Sequence, residues 1–94
     1  MFNDCVERNL QGIKYEEVGD IDTAIKLYEQ NLAEDFEGSH PYYQLARIYH
    51  KRKQYNEERR VLMHAIRVFE TKVPDTRGDK AKKLKRFKDM LSKI

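Results

Sequence analysis

Apolar residues return along this chain at helical spacing, never in strict alternation. Ile21, Ala24, Ile25, Tyr28 and Leu32 fall at i, i+3, i+4, i+7 and i+11, one stripe of a helix with 3.6 residues per turn. Asp20 stands before them as an N-cap and Gly19 before that as a stop for a preceding helix. That preceding helix is predicted from Asn3 or Asp4 to Val18, with Asp4 and Glu7 at capping-box spacing and Val6, Leu10 and Ile13, joined by Cys5 and Tyr15, on its apolar side. A third helix opens at Ser39 or His40, with Pro41 in its first turn, and buries Tyr42, Leu45, Ala46, Ile48 and Tyr49; it ends near Lys51–Lys53. A fourth runs from about Tyr55 to Glu70 with Tyr55, Leu62, Ala65, Ile66 and Phe69 on one face, and Pro74 forbids its continuation. A fifth, from about Asp79 to Ser92, sets Ala81, Leu84, Phe87, Leu91 and Ile94 against a nearly unbroken field of lysine and arginine. The fold class is all-α.

The helices come in pairs that repeat. Gly12 returns as Ala46, Tyr15 as Tyr49, Ile21 as Tyr55, Tyr28 as Leu62 and Leu32 as Ile66, always 34 residues on. Such a period in a helical chain marks stacked helix–turn–helix units, which offer a groove to a partner more readily than a pocket to a reaction. The stretch from Leu10 to Phe69 resembles the tetratricopeptide repeat. The first copy carries Gly12, Tyr15, Gly19-Asp20, Ala24 and Tyr28; the second carries Tyr42, Leu45-Ala46, Tyr49, Tyr55 and Ala65. It departs from that pattern at Arg8, Gln11 and Phe36, and at Glu58, which stands where the first copy has Ala24. The resemblance implies two antiparallel helix–turn–helix units at about 5–38 and 39–72, closed by a solvating helix at about 79–93, together a fragment of a right-handed α-solenoid in one domain. Lys80 and Lys83 fall where a third unit would need small and aromatic residues. Glu58, if buried, requires a partner, and Arg47, His50 and Arg52 on the preceding helix are the candidates.

Charge is distributed very unevenly. Residues 1–40 hold 3 basic and 10 acidic side chains; residues 41–94 hold 16 basic and 6 acidic. A dipolar chain of this kind can steer a charged partner or pair with a second copy of itself. A single cysteine makes no internal disulfide and suits a reducing setting. The opening Met1-Phe2-Asn3-Asp4-Cys5 lacks the apolar core of a signal peptide, and no apolar run reaches the ~20 residues that span a bilayer, so a cytoplasmic location is expected.

Catalytic chemistry finds little material. Neither Ser39 nor Ser92 has a glycine elbow, and acidic neighbours raise the pKa of Cys5 away from nucleophilic use. His40, His50 and His64 lack zinc-ligand spacing, and the acids around Asp20 lack the order of a calcium loop. No enzyme activity, metal or cofactor is expected.

In the tetratricopeptide family the first helix of each unit lines the concave groove. The resemblance therefore implies that Asn9, Ile13 and Glu16, with Val6 and Glu17, face a partner from the first helix. Tyr43, Gln44, Arg47, His50 and Lys51, with His40, would face it from the third. Tyr43 is the expected anchor, and Arg47 and Lys51 suit a carboxylate or an acidic stretch. The function read from this is protein–protein interaction: an adaptor or regulator that holds a peptide segment or helix of another protein. Asn9 and Ile13 occupy places where the family's clamp for C-terminal carboxylates has lysine and asparagine, which argues against a chaperone-tail clamp. A second reading takes Lys80, Lys82, Lys83 and Arg86 as a basic patch for nucleic acid or another acidic surface. A third is self-association, the acidic half of one copy meeting the basic half of another in a homodimer.

Overall fold

The computed structural model describes residues 2–94, with side chains from Asp4 onward; Met1, on which the reading of the chain's start partly rests, lies outside the described residues. Five helices follow one another: α1 Phe2–Glu17, α2 Ile21–Ala33, α3 His40–Lys51, α4 Tyr55–Thr71 and α5 Lys80–Ser92. No strand occurs among the described residues. Each helix packs on the next in sequence, so α1 and α5 end the series. The radius of gyration, 12.8 Å, is that of a folded domain of this length.

The two short turns are built alike, 34 residues apart. After α1, Asp20 N donates to Tyr15 O at 2.9 Å and Gly19 takes φ 85°. After α3, Gln54 N donates to Tyr49 O at 2.9 Å and Lys53 takes φ 59°. Both are Schellman closures, in which one left-handed residue lets a later N–H reach back to an otherwise orphan carbonyl. Gly19 takes that conformation without strain, whereas Lys53 holds a Cβ in it. Asp20 caps α2 as expected, its carboxylate accepting from Thr23 N at 3.3 Å and from Thr23 Oγ1 at 2.8 Å. Pro41 lies in the first turn of α3, but Ser39, the cap residue, makes no side-chain bond there.

Tyr28, Tyr42, Leu45, Leu62, Phe69 and Phe87 are all less than 2% exposed and fill the centre. Phe87 fastens α5 to the rest, its ring 4.8 Å from Tyr43, 5.2 Å from Phe69 and 6.1 Å from Tyr42. Burying one such ring contributes about 2–3 kcal/mol. Val61 and Val68 join this core from α4.

Several expectations are corrected. The apolar side assigned to α1 is not its packing side: Val6, Leu10 and Tyr15 are exposed, Ile13 is half-buried, and only Cys5 is enclosed. The face that meets α2 is polar and small. Gly12 lies so close to the Tyr28 ring that an added Cβ would fall 2.5 Å from Tyr28 Cε1. Beside it the buried Asn31 donates to Cys5 O at 2.9 Å and to Asn9 Oδ1 at 2.8 Å, and Arg8 donates to Asn31 Oδ1 at 3.1 Å. As the end helix, α1 leaves its apolar stripe open because no neighbour lies beyond it. Asp4 falls inside the first turn and not at the cap. Tyr55 and Ala81, placed on buried faces by their spacing, are exposed.

Glu58 is 5% exposed, and its partner among the three candidates is His50, whose Nδ1 lies 3.0 and 3.2 Å from the two carboxylate oxygens. The loop between α2 and α3 is held by Asp35, which meets His64 Nε2 at 2.7 Å, Lys72 Nζ at 2.7 Å and Arg67 at 3.5 Å. The hydrogen bonds from Lys72 and then His64 hold its carboxyl down to about 2.

Candidate partner-binding face

Three helices contribute to one surface. Glu16 of α1 accepts from both Gln44 Nε2 of α3, at 3.0 and 3.2 Å, and Tyr28 OH of α2. This carboxylate ties the first pair of helices to the second and fixes the spacing between α1 and α3. Burial, helped by Glu16, raises the Tyr28 hydroxyl's pKa, so it stays a donor. His40 packs edge-on against the Tyr28 ring, and burial lowers its pKa.

Next to this junction lies a small hollow of about 70 Å³ lined by Glu16, Gln44, Arg47, Ile48 and Lys51. A larger one of about 290 Å³ is lined by Ala46, Arg47, His50, Lys51, Glu58 and Met90. Arg47 and Lys51 border both. Both are exposed, and neither makes a hydrogen bond or ion pair among the described residues. Two cations one helical turn apart thus stand beside an apolar floor of Ala46 and Met90.

Of the residues expected to face a partner, Glu16, Gln44, Arg47, His50 and Lys51 line these hollows, whereas Val6, Glu17 and His40 do not. Ile13 is half-buried on α1 and lines neither. Asn9 is turned into the α1–α2 seam by its bond from Asn31. Tyr43 is only 9% exposed. It packs on Phe87 beneath the Arg86 guanidinium, 4.3 Å from its ring centre, with Lys83 Nζ at 5.6 Å. The expected anchor is therefore part of the core, because α5 lies over it.

Part of the basic patch expected on α5 makes contacts within the chain, though Arg86 stays exposed. Lys83 and Arg86 are held over Tyr43, and Lys80 is bonded to Asp75 at 2.7 Å. Only Lys82 of the four is exposed without such a contact among the described residues. Met90, which the sequence reading missed, belongs to the site; its position one turn beyond Arg86 was the available signal, but α5 had been assigned to the lid alone.

A larger cleft, about 460 Å³, opens at the other end of α2 between Cys5, the 34–38 loop and Arg77. Several of its polar groups are already engaged: Glu34 by Arg8, Asp35 by His64, Lys72 and Arg67, Arg77 by Asp79 and by Glu37 O. Burial and then Glu34 raise the pKa of the Cys5 thiol, which disfavours the thiolate. No group of acids, histidines and cysteines suited to a metal occurs among the described residues, and no helix there is long and apolar enough to cross a membrane. Compared with known proteins, the chain matches no family model, no curated protein and no solved structure.

Proposed function

We propose that this chain is a protein-interaction module that holds an acidic segment of a partner, peptide or helix, against α3. The observation that carries the reading is the pair Arg47 and Lys51, exposed, unpaired and shared by two adjoining hollows. Other cations, Lys14, Lys26, Lys82 and Lys85 included, also stand outside the ion pairs among the described residues; Arg47 and Lys51 are set apart by lining both hollows over an apolar floor. The partner's carboxylates meet these cations through charge-assisted hydrogen bonds. Ala46 and Met90 accept an apolar side chain beside them.

The scaffold reading that goes with it is a two-unit, tetratricopeptide-like array capped by α5. It is supported by the 34-residue recurrence of the left-handed turn closure and by the place of Gly12 and Ala46 at equivalent tight points. In such an array the first helices of successive units share one face, which is where Glu16, Gln44, Arg47 and Lys51 lie.

The reading is tested by fluorescence anisotropy with labelled peptides of equal length that are acidic, neutral or basic, each bearing leucines. The acidic peptide should bind, and the double substitution Arg47→Glu, Lys51→Glu should weaken it by at least about 100-fold, two lost charge-assisted contacts at ~1.5 kcal/mol each. Equal binding by wild type and variant would remove the site from this face.

A further inference from the structure

The two ends of the helix series carry apolar side chains that one copy leaves open on α1 and partly open on α5. On α1, Val6 is 38% and Leu10 51% exposed, and Ile13 on the same stripe is half-buried. Glu7 and Glu17, both exposed, flank that stripe. On α5, Ala81 is exposed, and Leu84 and Leu91, at i+3 and i+10 from it, pack against the chain's own core on one side and are only half-buried. Lys85 and Lys88 border these side chains and are exposed; Lys88 reaches Glu70 only at 3.5 Å. Thus one end offers an apolar stripe between acids and the other an apolar stripe between bases. The wider charge distribution has the same sense, with 10 acidic and 3 basic side chains in residues 1–40 against 6 and 16 in the rest.

We propose that copies of this chain join head to tail, the α1 face of one seated on the α5 face of the next. Pairing α1 with α1 would bring two acidic halves together, so a symmetric contact through that helix is disfavoured. The heterologous contact instead joins opposite charges around a shared apolar strip. The joined pair still has one free face of each kind, so the assembly grows beyond two copies instead of closing as a dimer. It continues the packing that orders α1 to α5 within one chain, and it leaves Arg47 and Lys51 on α3 unused. The binding of an acidic segment and the assembly of copies are therefore separable.

The test is sedimentation velocity on wild type and two folded variants, with circular dichroism to establish folding. Leu10→Lys spoils the α1 face; Ala81→Glu with Lys85→Glu spoils the α5 face. All these positions are exposed, and Val6→Lys is a second α1 variant should Leu10→Lys unfold. Wild type should gain mass with concentration beyond twice the monomer, more at ~50 mM than at ~500 mM salt. Each variant alone should remain a monomer, and their mixture should form a species of twice the monomer mass and stop there. A wild type that stays monomeric at low salt, a dimer that survives the α5 substitutions, or a mixture that does not assemble would each overturn the proposal.

Discussion

At the residue scale, the buried carboxylate of Glu58 and its single partner make the sharpest case. His50 is 59% exposed at its side chain and Glu58 6%, so the two are not equivalent. Removing His50 takes the hydrogen-bond partner from a largely buried carboxylate; removing Glu58 leaves an imidazole that water can serve. His50→Ala should cost about 1–3 kcal/mol in urea unfolding, and much less in a Glu58→Ala background, where the coupled partner is already gone. A cost that is the same in both backgrounds would mean that the pair is incidental. Asp35 supplies a pH test. Its folded value, about 2, lies below the ~3.9 of an unfolded aspartate. The stabilisation it brings is therefore complete above about pH 4 and is lost as pH falls toward 2. Asp35→Asn should lower stability at neutral pH by about 1–2 kcal/mol and flatten that part of the acid limb. An unchanged acid limb would show that the hydrogen bonds from Lys72 and His64 are not what depresses the carboxyl.

Elements were legible where one face of a helix is enclosed on both sides. The stripes of α2 and α3 read correctly from spacing because each helix is packed between neighbours, and burial there follows apolar period. For α1 the same reading inverted inside and outside. An end helix has one neighbour, and that neighbour is met through Gly12, Asn9, Arg8 and Asn31, a seam that hydropathy does not reveal. The turns carry a prediction of their own. Gly19 and Lys53 hold the same left-handed conformation at equivalent points. Lys53→Gly should raise stability by about 0.5–1 kcal/mol, and Gly19→Ala should lower it by about 1 kcal/mol. Thermal unfolding of both variants reads the sign directly; a destabilising Lys53→Gly would contradict the equivalence of the two turns.

At the scale of the whole molecule, the candidate site was partly readable in advance. Glu16, Gln44, Arg47, His50 and Lys51 follow from counting positions on first helices of repeated units. Tyr43 did not, because whether an aromatic beside a groove is free depends on where the last helix lies, and Phe87 carries α5 onto it. The same placement brings Met90 into the site and sets Lys83 and Arg86 over the Tyr43 ring. A long-range consequence of one buried ring thus decides which surface remains to work. The central claim, that this face receives an acidic segment, is most directly tested by nuclear magnetic resonance. Backbone amides of the labelled protein would be followed during titration with an acidic, leucine-bearing peptide. Shifts should concentrate at Gln44, Arg47, Lys51 and Met90 and vanish in the Arg47→Glu, Lys51→Glu variant. Shifts confined to the outer face of α5 or to the 34–38 loop, or none at all, would contradict it.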